Sequence, residues 1–217
     1  MTDPNFYIET QRLYISYFIP SNDAHCHFLV HLYNTPEFIA SIGGKLTSIT
    51  TAAAARRCLD GRFRAEHARN GYGTYLVSLK SASAGISSNS NIAEMSISTS
   101  FAERLARCKP IGTVSLMRGD SVDSYTVPDV GFAILPEENG KGYATEAAPG
   151  LLEYAKRELG VDAVFGACAK GNAHSRRVLQ KLGFEDRGVT KLMAFGGAKS
   201  EVWMAPGMSE DLKVYGM

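Results

Sequence analysis

Strand-like and helix-like stretches alternate along the 217 residues, and this order predicts an α/β domain. Residues 130–135, VGFAIL, form an apolar run bounded by turn residues, as a buried strand requires. Ala144, Ala147, Ala148, Leu151, Leu152, Ala155 and Leu159 then recur at helical spacing, so one face of a helix can pack on a sheet. A chain of this length buries a full core without a second domain, so residues 1–217 are expected to fold as one unit. Hydrophobic residues make up 45% and charged residues 21%, which argues against disorder.

Each element has its own local signal. Residues 7–19 alternate around apolar and aromatic positions and predict a strand. Pro20-Ser21-Asn22-Asp23 then supplies the start of a helix over residues 23–33, and Asn34-Thr35-Pro36 stops it. Gly43-Gly44 opens a loop. Residues 51–69, rich in alanine and arginine, predict a second helix that Asn70-Gly71 ends. Strands follow over 72–80 and 110–117. Between them, 81–91 is rich in serine and asparagine without periodicity, and Met95, Ile97, Thr99 and Phe101 alternate as a short strand before the polar ERLARCK. The insert over 81–109 is therefore either a flap over an acceptor site or a disordered loop.

A polar turn over 120–128 leads into the central strand. In the long helix beyond it, Pro149 removes the amide that would bond the Thr145 carbonyl, so a kink or an opened turn is expected at Pro149-Gly150. Residues 161–168 are apolar enough for another central strand. Asn172 caps a short helix whose buried face is Val178, Leu179 and Leu182, with Gly183 as its stop. Two last strands, near 189–195 and 201–205, flank Gly196-Gly197, and the tail from Pro206 is expected to be loose.

Charge and composition narrow the function. The formal net charge is +1, from 23 basic and 22 acidic residues with no long basic run, so nucleic acid is not an expected partner. No stretch is apolar and long enough to cross a bilayer, and the start MTDPNFYIET is unlike a secretory leader; a cytoplasmic chain without a membrane partner is expected. The four cysteines are scattered, which suits reduced, structural thiols. His25-Cys26-His27 with His31 places two imidazoles on one helix face, yet no further ligand follows at metal-finger spacing, so solvated helix residues and no metal are expected.

The chemical signal lies in PEENGKGYATEAA, residues 136–148. Gly140 and Gly142 let the backbone take positive φ at a strand-to-helix junction, where the first helical amides lack internal partners. Such a turn is suited to phosphate. A dinucleotide-binding turn needs a third glycine where Thr145 stands, and a P-loop needs Ser or Thr after Lys141, where Gly142 stands.

Asn139-Gly140-Lys141-Gly142-Tyr143-Ala144 instead resembles the Q/R-x-x-G-x-G/A loop with which the GNAT N-acetyltransferase superfamily holds the pyrophosphate of acyl-CoA. Thr145-Glu146-Ala147 is similar to the sequel in its RimJ/RimL-type branch. So are Glu9-Thr10-Gln11-Arg12-Leu13, which resembles the E-T-x-R-L opening, and residues 172–184, which resemble N-x-x-S-x-x-V-L-x-K-L-G-F.

The resemblance implies the GNAT fold, a mixed twisted central sheet with splayed parallel strands flanked by helices, and transfer of an acetyl group from acetyl-CoA to an amine acceptor without a metal. It implies that the backbone of Phe132, Ala133, Ile134 and Leu135 pairs with pantetheine, and that an amide near Ala133 or Ile134 meets the oxyanion. It also implies that amides from Gly140 to Thr145 hold the pyrophosphate, with Lys141 as an exposed countercharge. Asn139 departs from the usual glutamine or arginine, which implies a weakened pyrophosphate contact. Leu179 stands where many members have tyrosine, so the hydrogen bond to the leaving thiolate falls to Ser175, at the start of the Asn172 helix. The alternative on the residues alone is that Ser175 is a helix residue bonding its own first turn. Asp129 is either the general base or a turn residue bonding its own backbone, with Glu94 and Glu138 as weaker candidates for the base. A catalytically weak acyl-CoA sensor or regulatory module is the alternative to an enzyme.

Overall fold

The first apolar stretch forms two strands, in contrast to the single strand expected over 7–19. In the computed structural model, which describes residues 3–81 and 100–217, β1 (Tyr7–Glu9) and β2 (Leu13–Ser16) pair antiparallel. Thr10 makes the turn: its amide donates to the Leu13 carbonyl at 3.0 Å and its hydroxyl accepts from the Leu13 amide at 3.1 Å. A threonine thus does what glycine or proline usually signals.

Helix α1 (Asp23–Tyr33) starts where Asn22 accepts from the Ala24 amide. Pro36, expected only to stop it, opens α2 (Pro36–Ser41). Proline costs nothing at the first helical position, and the Thr35 hydroxyl caps the Phe38 amide. The helix expected over 51–69 consists of α3 (Ala52–Cys58) and α4 (Arg64–Asn70), joined by a π-helical turn over Leu59–Phe63.

After β3 (Thr74–Leu79), most of the expected insert and its short strand lie outside the described residues. Phe101, expected to close that strand, instead begins α5 (Phe101–Ala106). Ser100 and Glu103 form a capping box there, and Phe101 stacks on Tyr7 with ring centroids 4.3 Å apart.

The remaining elements are β4 (Lys109–Met117), β5 (Asp129–Ile134), α6 (Ala144–Leu159), β6 (Phe165–Ala169), α7 (Ala173–Lys181), β7 (Glu185–Leu192) and β8 (Ala198–Met204). Strand β7 begins earlier than expected, and it ends earlier because Met193–Phe195 coils into a 3-10 turn. The tail is docked, not loose. Leu212–Tyr215 is a 3-10 turn, the Tyr215 carbonyl accepts from the Thr126 amide at 3.1 Å, and Leu212 and Tyr215 cover Phe165, Val202 and Met204. The apolar face of β6 and β8 needs that cover.

The eight strands are ordered β1-β2-β3-β4-β5-β6-β8-β7, and every neighbouring pair is antiparallel except β5 and β6. Those two pair in parallel at a single register position, Asp129 opposite Phe165, and then part. The expected mixed sheet with splayed parallel strands is the observed one. Helix α6 covers one face through Ala147, Ala148, Leu151 and Ala155, against Ile15, Val77 and Val114. Helices α1 and α3 cover the other through Leu29, Leu32 and Ala55, near Leu76 and Leu135.

Helix α6 runs through Pro149, which lies on its exposed side. Gly150 has a separate reason to be small: a Cβ there would lie 2.9 Å from Thr10 Cγ2, in the turn between β1 and β2. Gly150→Val should therefore push that turn from the helix and destabilise the fold by about 1–3 kcal/mol, read as a lower Tm with two-state unfolding intact.

Candidate active site

The glycine loop is built as an anion cradle. Gly140 and Gly142 have φ of 78° and 83°, a region that side chains with a Cβ rarely enter. Among the described residues, the amides of Gly140, Lys141, Gly142, Tyr143, Ala144 and Thr145 donate to no protein acceptor. They gather at the N-terminal end of α6, where the helix dipole adds positive potential.

A distant segment holds this loop in place. Glu146, in the first turn of α6, accepts from the Thr10 hydroxyl at 2.7 Å and from the Arg12 amide at 2.6 Å, and Arg12 Nε donates to its other oxygen at 2.6 Å. Arg12 Nη1 reaches the Lys141 carbonyl at 3.0 Å, and the guanidinium lies 4.6 Å from the Tyr143 ring centroid. Burial alone would raise the Glu146 pKa, but these donors outweigh it and hold the carboxyl below its ordinary value.

The cradle opens into a cleft of about 400 Å³, lined also by Ile134 and Asn139 and, from α7, by His174, Arg177, Val178 and Lys181. The three basic side chains sit at i, i+3 and i+7, one face of the helix. The sequence reading did not single them out, although that spacing was present in it. Lys141 Nζ does not stand alone. It donates to Glu138 at 2.7 Å, as Lys109 does at 2.6 Å, and these hydrogen bonds lower the Glu138 pKa.

Helix α7 is seated closely. Leu179 is buried over Gly166 of β6, where a Cβ would come within 2.4 Å of Leu179 Cδ2. Arg176 grips Glu201 of β8 with two bonds, of 2.9 and 2.6 Å. Asn172 Oδ1 caps the helix by accepting from the Ser175 amide at 3.0 Å. The Ser175 hydroxyl itself makes no hydrogen bond among the described residues, so it is not spent on its own helix turn.

Strand β5 divides the site. The Leu135 amide donates to Ile111 of β4 and the Pro128 carbonyl accepts from Phe165 of β6, so odd-numbered backbone groups face β4 and even-numbered ones face β6. Beyond the single pairing position, the even residues Phe132 and Ile134 turn their amides and carbonyls into the gap that β6 leaves, whereas Ala133 pairs with Thr113 of β4. Side chains alternate too. Ile134 borders the basic cleft, and Gly131 and Ala133 border a second cavity of about 420 Å³ on the α1 side of the sheet.

Asp129 begins β5 opposite Met117 and shares the sheet face of Gly131 and Ala133. Burial pushes its carboxyl up to about 7, with the charge of Glu66 adding to the effect and a hydrogen bond from its own amide opposing it. His25 is buried, not solvated, with Nδ1 accepting from the Ile19 amide at 3.0 Å, and among the described residues no three His, Cys, Asp or Glu side chains are grouped to hold an ion. No helix among the described residues is long and apolar enough to cross a membrane.

The Asp129 shift has a stability consequence. Its carboxyl titrates near the ordinary 3.8 when unfolded and near 7 when folded, so the folded chain holds the extra proton between those values. The contribution is most favourable below about pH 4 and is lost as pH rises toward 7. Asp129→Asn should remove this slope: relative to the parent, the variant should gain Tm between pH 5 and pH 8 in a pH series of thermal melts.

A family model described as an acetyltransferase (GNAT) domain matches residues 12–185. An uncharacterized N-acetyltransferase of Bacillus subtilis (strain 168), YnaD, is 35% identical over 63 residues, which are 29% of this chain and 37% of that protein. The chain thus matches well under half the length of that relative. Among solved structures, a ribosomal-protein-S5-alanine acetyltransferase from Vibrio fischeri has a TM-score of 0.64 at 16% identity, covering 92% of this chain and 96% of the other. The microcin C7 self-immunity acetyltransferase MccE, solved with acetyl-CoA and AMP, has a TM-score of 0.63 at 14% identity, covering 90% and 92%. These two show a shared fold. The family match spans the Arg12 clamp, the anion cradle, the parted strands and α7, and by it the chain belongs to the GNAT acetyltransferase family.

Proposed function

We propose that this chain transfers an acetyl group from acetyl-CoA to a primary amine, a protein N-terminus or a small molecule, by direct attack in a ternary complex. The observation that carries the reading is the pair of cavities on opposite faces of the sheet, both bordering β5 where its backbone is unpaired. Donor and acceptor then approach from the two sides and meet at the gap, and positioning supplies much of the rate. The three sequence blocks support the RimJ/RimL-type branch, and four free thiols suit a reducing, cytoplasmic setting.

Acetyl-CoA supplies a thioester carbonyl and a thiolate leaving group, whose ordinary pKa of about 8.5 makes a strong acid unnecessary. The amides from Gly140 to Thr145 bind its pyrophosphate, with Arg177 and Lys181 as the nearby positive charges. Phe132 and Ile134 offer backbone groups to the pantetheine. Of the two amides considered for the oxyanion, Ile134 faces the gap and Ala133 faces β4, so Ile134 is the donor supported by the ladder. The unengaged Ser175 hydroxyl donates to the departing sulfur. Asp129, with a pKa near 7 and lying outside the lining of the α1-side cavity, takes through water the proton that an ammonium must lose before attack.

Saturating acetyl-CoA should raise the Tm, because a ligand at 100 times its Kd adds about 2.7 kcal/mol, and Gly142→Glu should abolish the rise. A rise without transfer to any amine would instead indicate an acyl-CoA sensor, and no rise would remove the donor from this cleft. Ser175→Ala should lower kcat by less than about 100-fold with the acetyl-CoA KM little changed; unaltered kcat would exclude its role.

A further inference from the structure

The cavity on the α1 side restricts the amine, an inference that rests on the transferase reading. One part of its lining is apolar, with Tyr33 and Phe38 stacked at 4.2 Å between ring centroids and Met117 nearby; Ser41, Thr47 and Ser48 also line it, and the strands beneath contribute the hydroxyls of Thr113 and Ser115. Gly131 keeps this floor open: a Cβ there would lie 2.6 Å from Ser115 Oγ. Among the described residues lining the cavity there is no carboxylate, and Arg62 is the one full charge. A polyamine or an aminoglycoside would bring several ammonium groups to a guanidinium with no lining anion to receive them.

Arg62 is placed there by an irregularity in the helix. It lies in the π-helical turn Leu59–Phe63, a wider turn set between two α-helical segments, of a kind that recurs at functional sites. Arg56, Arg64 and Arg69 of the same helical run each pair with an aspartate. Arg62 forms no ion pair among the described residues; its guanidinium lies 5.2 Å from the Phe63 ring centroid and leans on the Cys58 thiol. Glu66, one turn on, feels its charge without pairing to it. An exposed guanidinium at the edge of a partly apolar cavity is suited to an oxyanion group on a bound molecule.

We propose that the acceptor is a small primary amine carrying one apolar group and one oxyanion group, with the oxyanion on Arg62, the apolar part against Tyr33, Phe38 and Met117, and the amine toward the β5 gap at Phe132. Acetyl transfer would be measured for amines supplied as the free acid and as the amide (phenylalanine, alanyl-phenylalanine), for O-phosphotyrosine, for spermidine, and for a peptide amidated at its C-terminus.

The acids should exceed their amides in kcat/KM by about ten- to a hundredfold, the range expected of one charged hydrogen-bonded pair. Arg62→Gln should bring that ratio to near one, and Arg62→Lys should restore part of it. The Tm rise with acetyl-CoA in each variant reports that the fold and donor cleft are intact. Comparing O-phosphotyrosine with the carboxylic acids distinguishes a phosphoryl from a carboxylate ligand. Spermidine or the amidated peptide matching the acids, or an acid-to-amide ratio unchanged in Arg62→Gln, would overturn the proposal and leave the transferase reading standing. Transfer to none of the amines would overturn both.

Discussion

The Glu146 carboxylate is the point through which the N-terminal hairpin and the glycine loop are joined. It takes hydrogen bonds from Thr10 and from the amide and guanidinium of Arg12, which lie more than 130 residues away in sequence. The same guanidinium reaches the Lys141 carbonyl and covers Tyr143, so the hairpin of β1 and β2 grips both the first turn of α6 and the loop before it. The loop's own amides are then free to face outward, since its position does not depend on bonds among them. Gly150 completes the fit by letting Thr10 approach the helix.

With α6 held against one face of the sheet, the parting of β5 and β6 becomes a structural resource. Strand β5 keeps its full ladder with β4, so it is rigid, yet it presents unpaired backbone at Phe132 and Ile134. The two sides differ in charge. The α7 side presents Arg177 and Lys181 beside the anion cradle, whereas the α1 side is floored by hydroxyls and glycine with Arg62 at its edge. Helix α7 acquires its orientation from Leu179 over Gly166 and from the grip of Arg176 on Glu201, which together set the basic face toward the cleft.

Local signals were read correctly where a side chain caps its own helix, as Asn22 does for α1 and Asn172 for α7. They misled where one residue type serves two local structures. Pro36 stops one helix and also opens the next, and Thr10 closes a tight turn without glycine or proline. Phe101 fits an alternating strand pattern as well as it fits the first turn of a helix, and the capping box of Ser100 and Glu103 decides between them. The tail from Pro206 carries few local signals, yet Leu212 and Tyr215 find an exposed apolar face to cover.

The sequence by itself determined the element order, the glycine junction able to cradle an anion, and three family blocks, because these depend on backbone preference and on residues close in the chain. Only the tertiary structure decided how those parts meet. The E-T-x-R-L block became a clamp on Glu146, Lys141 was committed to Glu138, His174, Arg177 and Lys181 were turned into the cleft, and burial raised the Asp129 pKa. Each of these outcomes depends on distance and burial among segments far apart in sequence. A residue's neighbours across the sheet, rather than its neighbours along the chain, fix its charge state and the direction in which its polar groups point.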